Sequence, residues 1–229
     1  MENAPKQRQP WFYILVGCGG AAGVALLICL VSMLTCGKCM SDVGKGVTDP
    51  EVRKENAVKQ LGAIPEGYSV MTSFDVLLGQ TTILTDGEML PDGGFDQSLN
   101  PGHHVFVYRH VMSNDNNKNV RDFLMGKEVD PAVLMNTGMY ADPAMQLKHG
   151  SLTVDGRKIY YVAQRGPIDG DPGLLTQVLF DCPGNALSVG TWGQLDPAPQ
   201  KAKEELELAG TVADEEQLAR FIKPMNPCR

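Results

Sequence analysis

Cys36 and Cys39 form a C-x-x-C. This is the spacing of a thioredoxin-type redox pair, of half a zinc site or, beside a membrane, of thiols open to acylation. A redox pair works from the start of a helix, where the helix dipole lowers the thiol pKa. These two follow a long apolar run and stand at its wrong end. Zinc needs about four ligands, and no second C-x-x-C or paired histidine follows. Acylation, an interchain disulfide or an incidental thiol pair remain. Cys182 and Cys228 lie far downstream. In an oxidising compartment they are expected to form a disulfide that ties the chain's end to its sheet; in a reducing one, two free thiols are expected.

His103, His104 and His110 crowd one stretch. Strand alternation puts His104 and His110 on one face, with Phe106 and Tyr108 between them. A metal or acid–base site is the sharper reading and strand-end surface histidines the plainer one; His104, Tyr108 and His110 are the candidate binding residues. Ser188 lies in Ala186-Leu187-Ser188-Val189-Gly190, a variant of the G-x-S-x-G nucleophile elbow. That elbow needs a strand–turn–helix context and a histidine after the serine, and no histidine follows His149. Asp169-Gly170-Asp171 lacks the further ligands of a calcium loop. No catalytic set, resident metal or cofactor is expected.

The elements that would position these residues begin with the membrane. No charged residue lies between Arg8 and Lys38, and residues 11–35 form an apolar run of 25 residues. At about 1.5 Å per residue such a helix crosses a hydrocarbon core of roughly 30 Å. A cleaved signal peptide would have a shorter apolar region and a small-residue cleavage site. Leu15-Val16-Gly17-Cys18 resembles a lipobox, but cleavage there would leave a redundant second apolar stretch. Gly19 and Gly23 form a G-x-x-x-G that suits helix–helix approach, and so self-association in the bilayer. Basic residues flank both ends: a literal count leans slightly toward a cytoplasmic domain, whereas a short basic tail ahead of a first span is the pattern of an uncleaved signal anchor with its domain outside. The expected order is a basic tail over 1–10, a transmembrane helix over 11–35, a juxtamembrane linker with a helix over 36–62 and a domain over 63–229.

The net charge is −7, yet residues 1–49 hold four basic and three acidic side chains, so the negative excess lies wholly beyond them. An acidic domain is a poor phosphate binder, which argues against nucleic acid and against docking on anionic lipid. Asp49, Pro50 and Gly62 predict a capped helix. Tyr68, Val70, Thr72, Phe74, Val76 and Leu78 alternate as one face of a strand. Further strands are predicted around 81–86 and 103–112, separated by a Gly/Pro/Asp-rich loop over 86–102 of the length often used for function. Two short helices follow. Then come a hairpin turning at Asp155-Gly156, another turning at Pro183-Gly184, and a closing helix with Leu218, Phe221 and Ile222 inward. The fold class is α+β: a mostly antiparallel sheet packed against a few helices.

The segments "PWFYILVGCGG", "LGAIPEGYSV", "LLTQVLFDCPGNALSVGTW" and "GTVADEEQLARFIKPMNPC" frame most of the chain. On them it resembles uncharacterised single-pass envelope proteins of bacteria, a resemblance that carries no activity. The strand–helix order is also similar to the PsbP-like α/β/α sandwich, which speaks to fold alone. The expectation is therefore a non-catalytic binding or structural module. It would be anchored in the bacterial inner membrane with its domain on the periplasmic side, and its partner would be a protein or an envelope component. The competing expectation is an envelope enzyme or metal-binding protein built on the His104/His110 strand and the 86–102 loop.

Overall fold

The computed structural model describes residues 44–45, 48–76, 79–87, 102–112, 117–135, 140, 142–184 and 186–228. The expected tail, the transmembrane helix with Gly19 and Gly23, the Cys36/Cys39 pair and most of the 86–102 loop lie outside these residues. No helix among the described residues is long and apolar enough to cross a membrane. What is described falls in one unit, residues 43–229.

Helix α1 spans Pro50–Leu61. The Asp49 side chain caps it by accepting from the Glu51 and Val52 N–H groups, Pro50 sits where no N–H is needed, and Gly62 ends it at φ 85°. The strands are β1 (Ser69–Val76), β2 (Gly79–Thr85), β3 (His104–Val111), β4 (Gln146–Val154), β5 (Arg157–Ile168), β6 (Asp171–Phe180) and β7 (Leu187–Leu195). Helices α2 (Asn117–Leu124) and α3 (Pro131–Met135) fall between β3 and β4, and α4 (Glu215–Ile222) follows β7. All seven strands form one antiparallel sheet in the order β1-β2-β3-β7-β6-β5-β4. Two meanders therefore meet at the β3–β7 seam.

The sheet is covered on both faces. One face packs Leu61 of α1 and Leu218, Phe221 and Ile222 of α4 onto Phe106, Tyr161, Val178 and Trp192. The other packs Val120, Phe123 and Leu124 of α2 and Leu134 of α3 onto Val162, Leu179, Leu187 and Val189. Phe221 is central to the first face: its ring stacks on Trp192 at 4.3 Å and meets Phe106 at 5.0 Å and Tyr68 at 4.8 Å. A buried phenylalanine of this kind is worth about 3–5 kcal/mol. Gly190 makes room for the packing, since a Cβ there would stand 2.4 Å from the Phe106 ring. The glycine that suggested a nucleophile elbow is thus a space for an aromatic ring.

One expectation is corrected and one turn is added. The alternating face read over residues 68–78 is broken, because the β1–β2 register shifts between Val70 and Thr72. The extra residue turns Ser73, not Thr72 or Phe74, to the helix-covered face, where it is fully buried and bonds Thr82 at 2.7 Å. Asp169-Gly170, weighed only as a fragment of a calcium loop, is the turn of the β5–β6 hairpin, with φ of 51° and 95°.

Cys182 and Cys228 are joined by a disulfide, with Cα atoms 5.0 Å apart and 46 residues of separation. It pins the chain's end against the β6–β7 connection. The same end is held by the Asn226 N–H donating to the Leu61 carbonyl at 2.5 Å and by Arg157 donating to the Met225 carbonyl.

Candidate functional site

The histidines divide into two places. His104 and His110 share a face of β3, as alternation requires, but six residues of strand put about 20 Å between them. Tyr108 between them is 1% exposed and belongs to the core. Its hydroxyl pKa is raised by that burial and pulled partly back by a hydrogen bond with Ser188. The structure therefore does not gather His104, Tyr108 and His110 into one site, and Tyr108 offers no solvent-facing contact.

His110 Nδ1 lies 2.8 Å from Ser188 Oγ. The pair arises because β3 lies beside β7 in a register that sets His110 opposite Ser188. A serine touching a histidine is the beginning of a nucleophilic pair. Here, however, Ser188 is fully buried, inside a strand rather than on a turn, and its hydroxyl also bonds Tyr108. The trio satisfies polar groups at the edge of a core; it gives a substrate carbonyl no approach.

The other end of β3 carries more exposed polar chemistry. Asp86, just past β2, accepts from the His104 backbone N–H at 2.6 Å and contacts His104 Nδ1 at 2.6 Å. His103 Nδ1 is 3.6 Å from the same carboxylate. Thr85 Oγ1 donates to the His104 carbonyl at 3.0 Å and accepts from the Gly87 N–H at 3.0 Å. The His104 ring lies 5.4 Å from Trp192, whose indole N–H donates to the Tyr68 hydroxyl at 3.0 Å. Burial pushes the Tyr68 pKa up and the Asp86 charge adds to this, against the opposing Trp192 hydrogen bond. Tyr68 is therefore a neutral phenol. The result is a carboxylate-oriented imidazole on an aromatic wall, at the root of the 86–102 loop. Among the described residues no group of three or more His, Cys, Asp or Glu is placed to hold a metal ion.

No family model and no curated protein matches the chain.

A third place was not singled out from the sequence. A cleft of about 590 Å³ is lined by Lys148 of β4, Leu208, Ala213 and the first turn of α4. Tyr161 donates to Glu215, and Lys148 Nζ is 2.9 Å from the same carboxylate. These two bonds draw the Glu215 pKa down, while burial and the Glu215 contact push the Tyr161 hydroxyl up. Asp214 is also held low, chiefly by the Gly210 and Glu216 N–H groups it accepts from. Lys148 and Tyr161 are 67 and 54 residues from Glu215, so no local spacing announces the cluster. Its acids are all partnered, which makes the cleft a structural corner rather than an open cation site.

Proposed function

We propose that this protein is a membrane-tethered, non-catalytic binding or structural module of the bacterial cell envelope. An amino-terminal helix over 11–35 would hold it in the inner membrane, with its α+β domain on the periplasmic side. The observation that carries the reading is the conjunction of a 25-residue uncharged run with a Cys182–Cys228 disulfide in the domain that follows. Disulfides persist in oxidising compartments, and an uncleaved anchor delivers a domain there. The acidic domain favours a protein or wall-component partner over nucleic acid or anionic lipid. The buried state of Ser188 and the distance between His104 and His110 favour binding over catalysis. The helix–sheet–helix layering supports likeness to the PsbP-like sandwich, and that likeness carries no activity.

Thiol labelling tests the reading. In a full-length variant with Cys18, Cys29, Cys36 and Cys39 replaced by serine, a membrane-impermeant maleimide is applied to cells whose outer layer has been opened. Labelling should require prior treatment with an impermeant reductant, and then occur without lysis. Labelling that appears only after the inner membrane is dissolved would overturn the external placement, and labelling without reductant would remove the disulfide.

A further inference from the structure

The sheet has two edges, β1 and β4, and the chain treats them differently. β1 is closed by its own helix: Arg53, Asn56 and Gln60 of α1 donate to the carbonyls of Met71, Ser73 and Phe74 at 2.9, 3.2 and 3.0 Å. β4 is left open. The two-residue turn Asp155-Gly156, with φ of 49° and 77°, makes Val154 and Arg157 a hydrogen-bonded pair. By strict alternation Leu152, Gly150 and Lys148 also bond to β5, while Thr153, Ser151 and His149 aim their N–H and C=O groups away from it. All three are exposed. Among the described residues, no backbone bond beyond the sheet reaches them.

An unpaired edge is a template for another strand. Natural edges are guarded by bulges and lysines. Here both guards sit at one end, in the irregularity between Gln146 and Lys148, and Lys148 is held by Glu215. From His149 to Val154 there is no guard.

We propose that β4 pairs antiparallel with β4 of a second copy of this chain, about a two-fold axis at Ser151. Two seven-stranded sheets then become one. The strand is its own match in this register. Ser151 faces Ser151 of the second copy, and Thr153 faces His149, so every outward N–H and C=O meets a partner, in about six new backbone hydrogen bonds. On the other face Leu152 lies opposite Gly150, which has no side chain to obstruct it, and Lys148 lies opposite Val154. No like charges oppose each other, and small hydroxyl pairs are favourable across strands. The pairing needs only the folded sheet, so it stands apart from membrane placement and from any association through Gly19 and Gly23.

The test uses the full-length chain in isolated membranes, with Cys18, Cys29, Cys36 and Cys39 replaced by serine. Ser151→Cys should give a covalent dimer on mild oxidation. Thr153→Cys alone should give little, because its own copy lies four positions away along the pair. His149→Cys and Thr153→Cys expressed together should cross-link to each other. In detergent, Ser151→Lys should weaken the dimer roughly fivefold or more by opposing like charges. Ser151→Pro should do the same without removing any β4–β5 bond. Resistance of the domain to limited proteolysis, compared with the parent chain, reports that each variant is folded. Cross-linking of Ser151→Cys no faster than of Thr153→Cys would overturn the proposal. So would a monomeric parent chain, or a dimer insensitive to Ser151→Lys.

Discussion

Glu215 shows how single residues set the behaviour of this domain. It accepts from Tyr161 and meets Lys148, and both interactions favour its ionised form, so its folded pKa lies below the ordinary carboxylate value. A group depressed in this way contributes stability above its unfolded pKa, and the contribution is lost as pH falls through the folded one. Glu215→Gln should therefore lower the thermal midpoint near neutrality, with the gap to the parent closing as pH drops below about 4. The Glu215 side chain is 44% exposed, so the effect is modest. Melting curves across this range check it, and a gap that does not change with pH would show that the contact is uncharged in character. Toward the other side of the sheet Asp86 orients His104 through both backbone and ring.

At the scale of elements the disulfide dominates. Closing a loop of 46 residues removes unfolded-state entropy worth about 2–4 kcal/mol. Cys228→Ser should cost that much in denaturant unfolding, and reduced parent protein should unfold like the variant. A variant as stable as the oxidised parent would show that the Arg157 and Asn226 bonds suffice to hold the end of the chain. Elements defined by neighbours in sequence were legible in advance. Examples are α1 between Asp49 and Gly62, the Asp155-Gly156 hairpin and the apolar faces of α2 and α4. The pairing of Cys182 with Cys228, 46 residues apart, is legible only as one of two outcomes, from residue type and compartment rather than from spacing. What was not legible depends on which strand lies beside which. The Met71 bulge is invisible because alternation reads identically with or without it until β2 fixes the register. The contact of His110 with Ser188 spans 78 residues, and that of Glu215 with Tyr161 spans 54. Neither leaves a spacing to find. The Asp169-Gly170 turn does carry a local signal, an Asp-Gly pair between β-rich runs, which dismissal of a calcium loop there leaves unused.

At the scale of the molecule, two meanders are joined side by side at the β3–β7 seam. Side chains of α1 take three carbonyls of one outer strand, β1, whereas among the described residues no backbone bond beyond the sheet reaches the outward groups of the other, β4. Both faces of the sheet are covered from within the same chain. The buried Asp196 is drawn into this frame by Arg165 Nε at 2.8 Å, and Arg165 also donates to the Lys201 and Ala198 carbonyls at 2.6 and 3.0 Å. The stretch after β7 is thereby strapped to β5 before the chain turns into α4.

The ring of Phe221, between Trp192, Phe106 and Tyr68, belongs to a helix that follows all seven strands along the chain. During synthesis every strand therefore emerges before the helix that covers it, and one face of the sheet stays wet until residues 215–222 have left the ribosome. Chains stalled with residues 215–222 still inside the ribosome should be digested by protease as readily as unfolded protein, whereas chains in which they have emerged resist. Equal resistance in the two would mean that the sheet closes without its keystone.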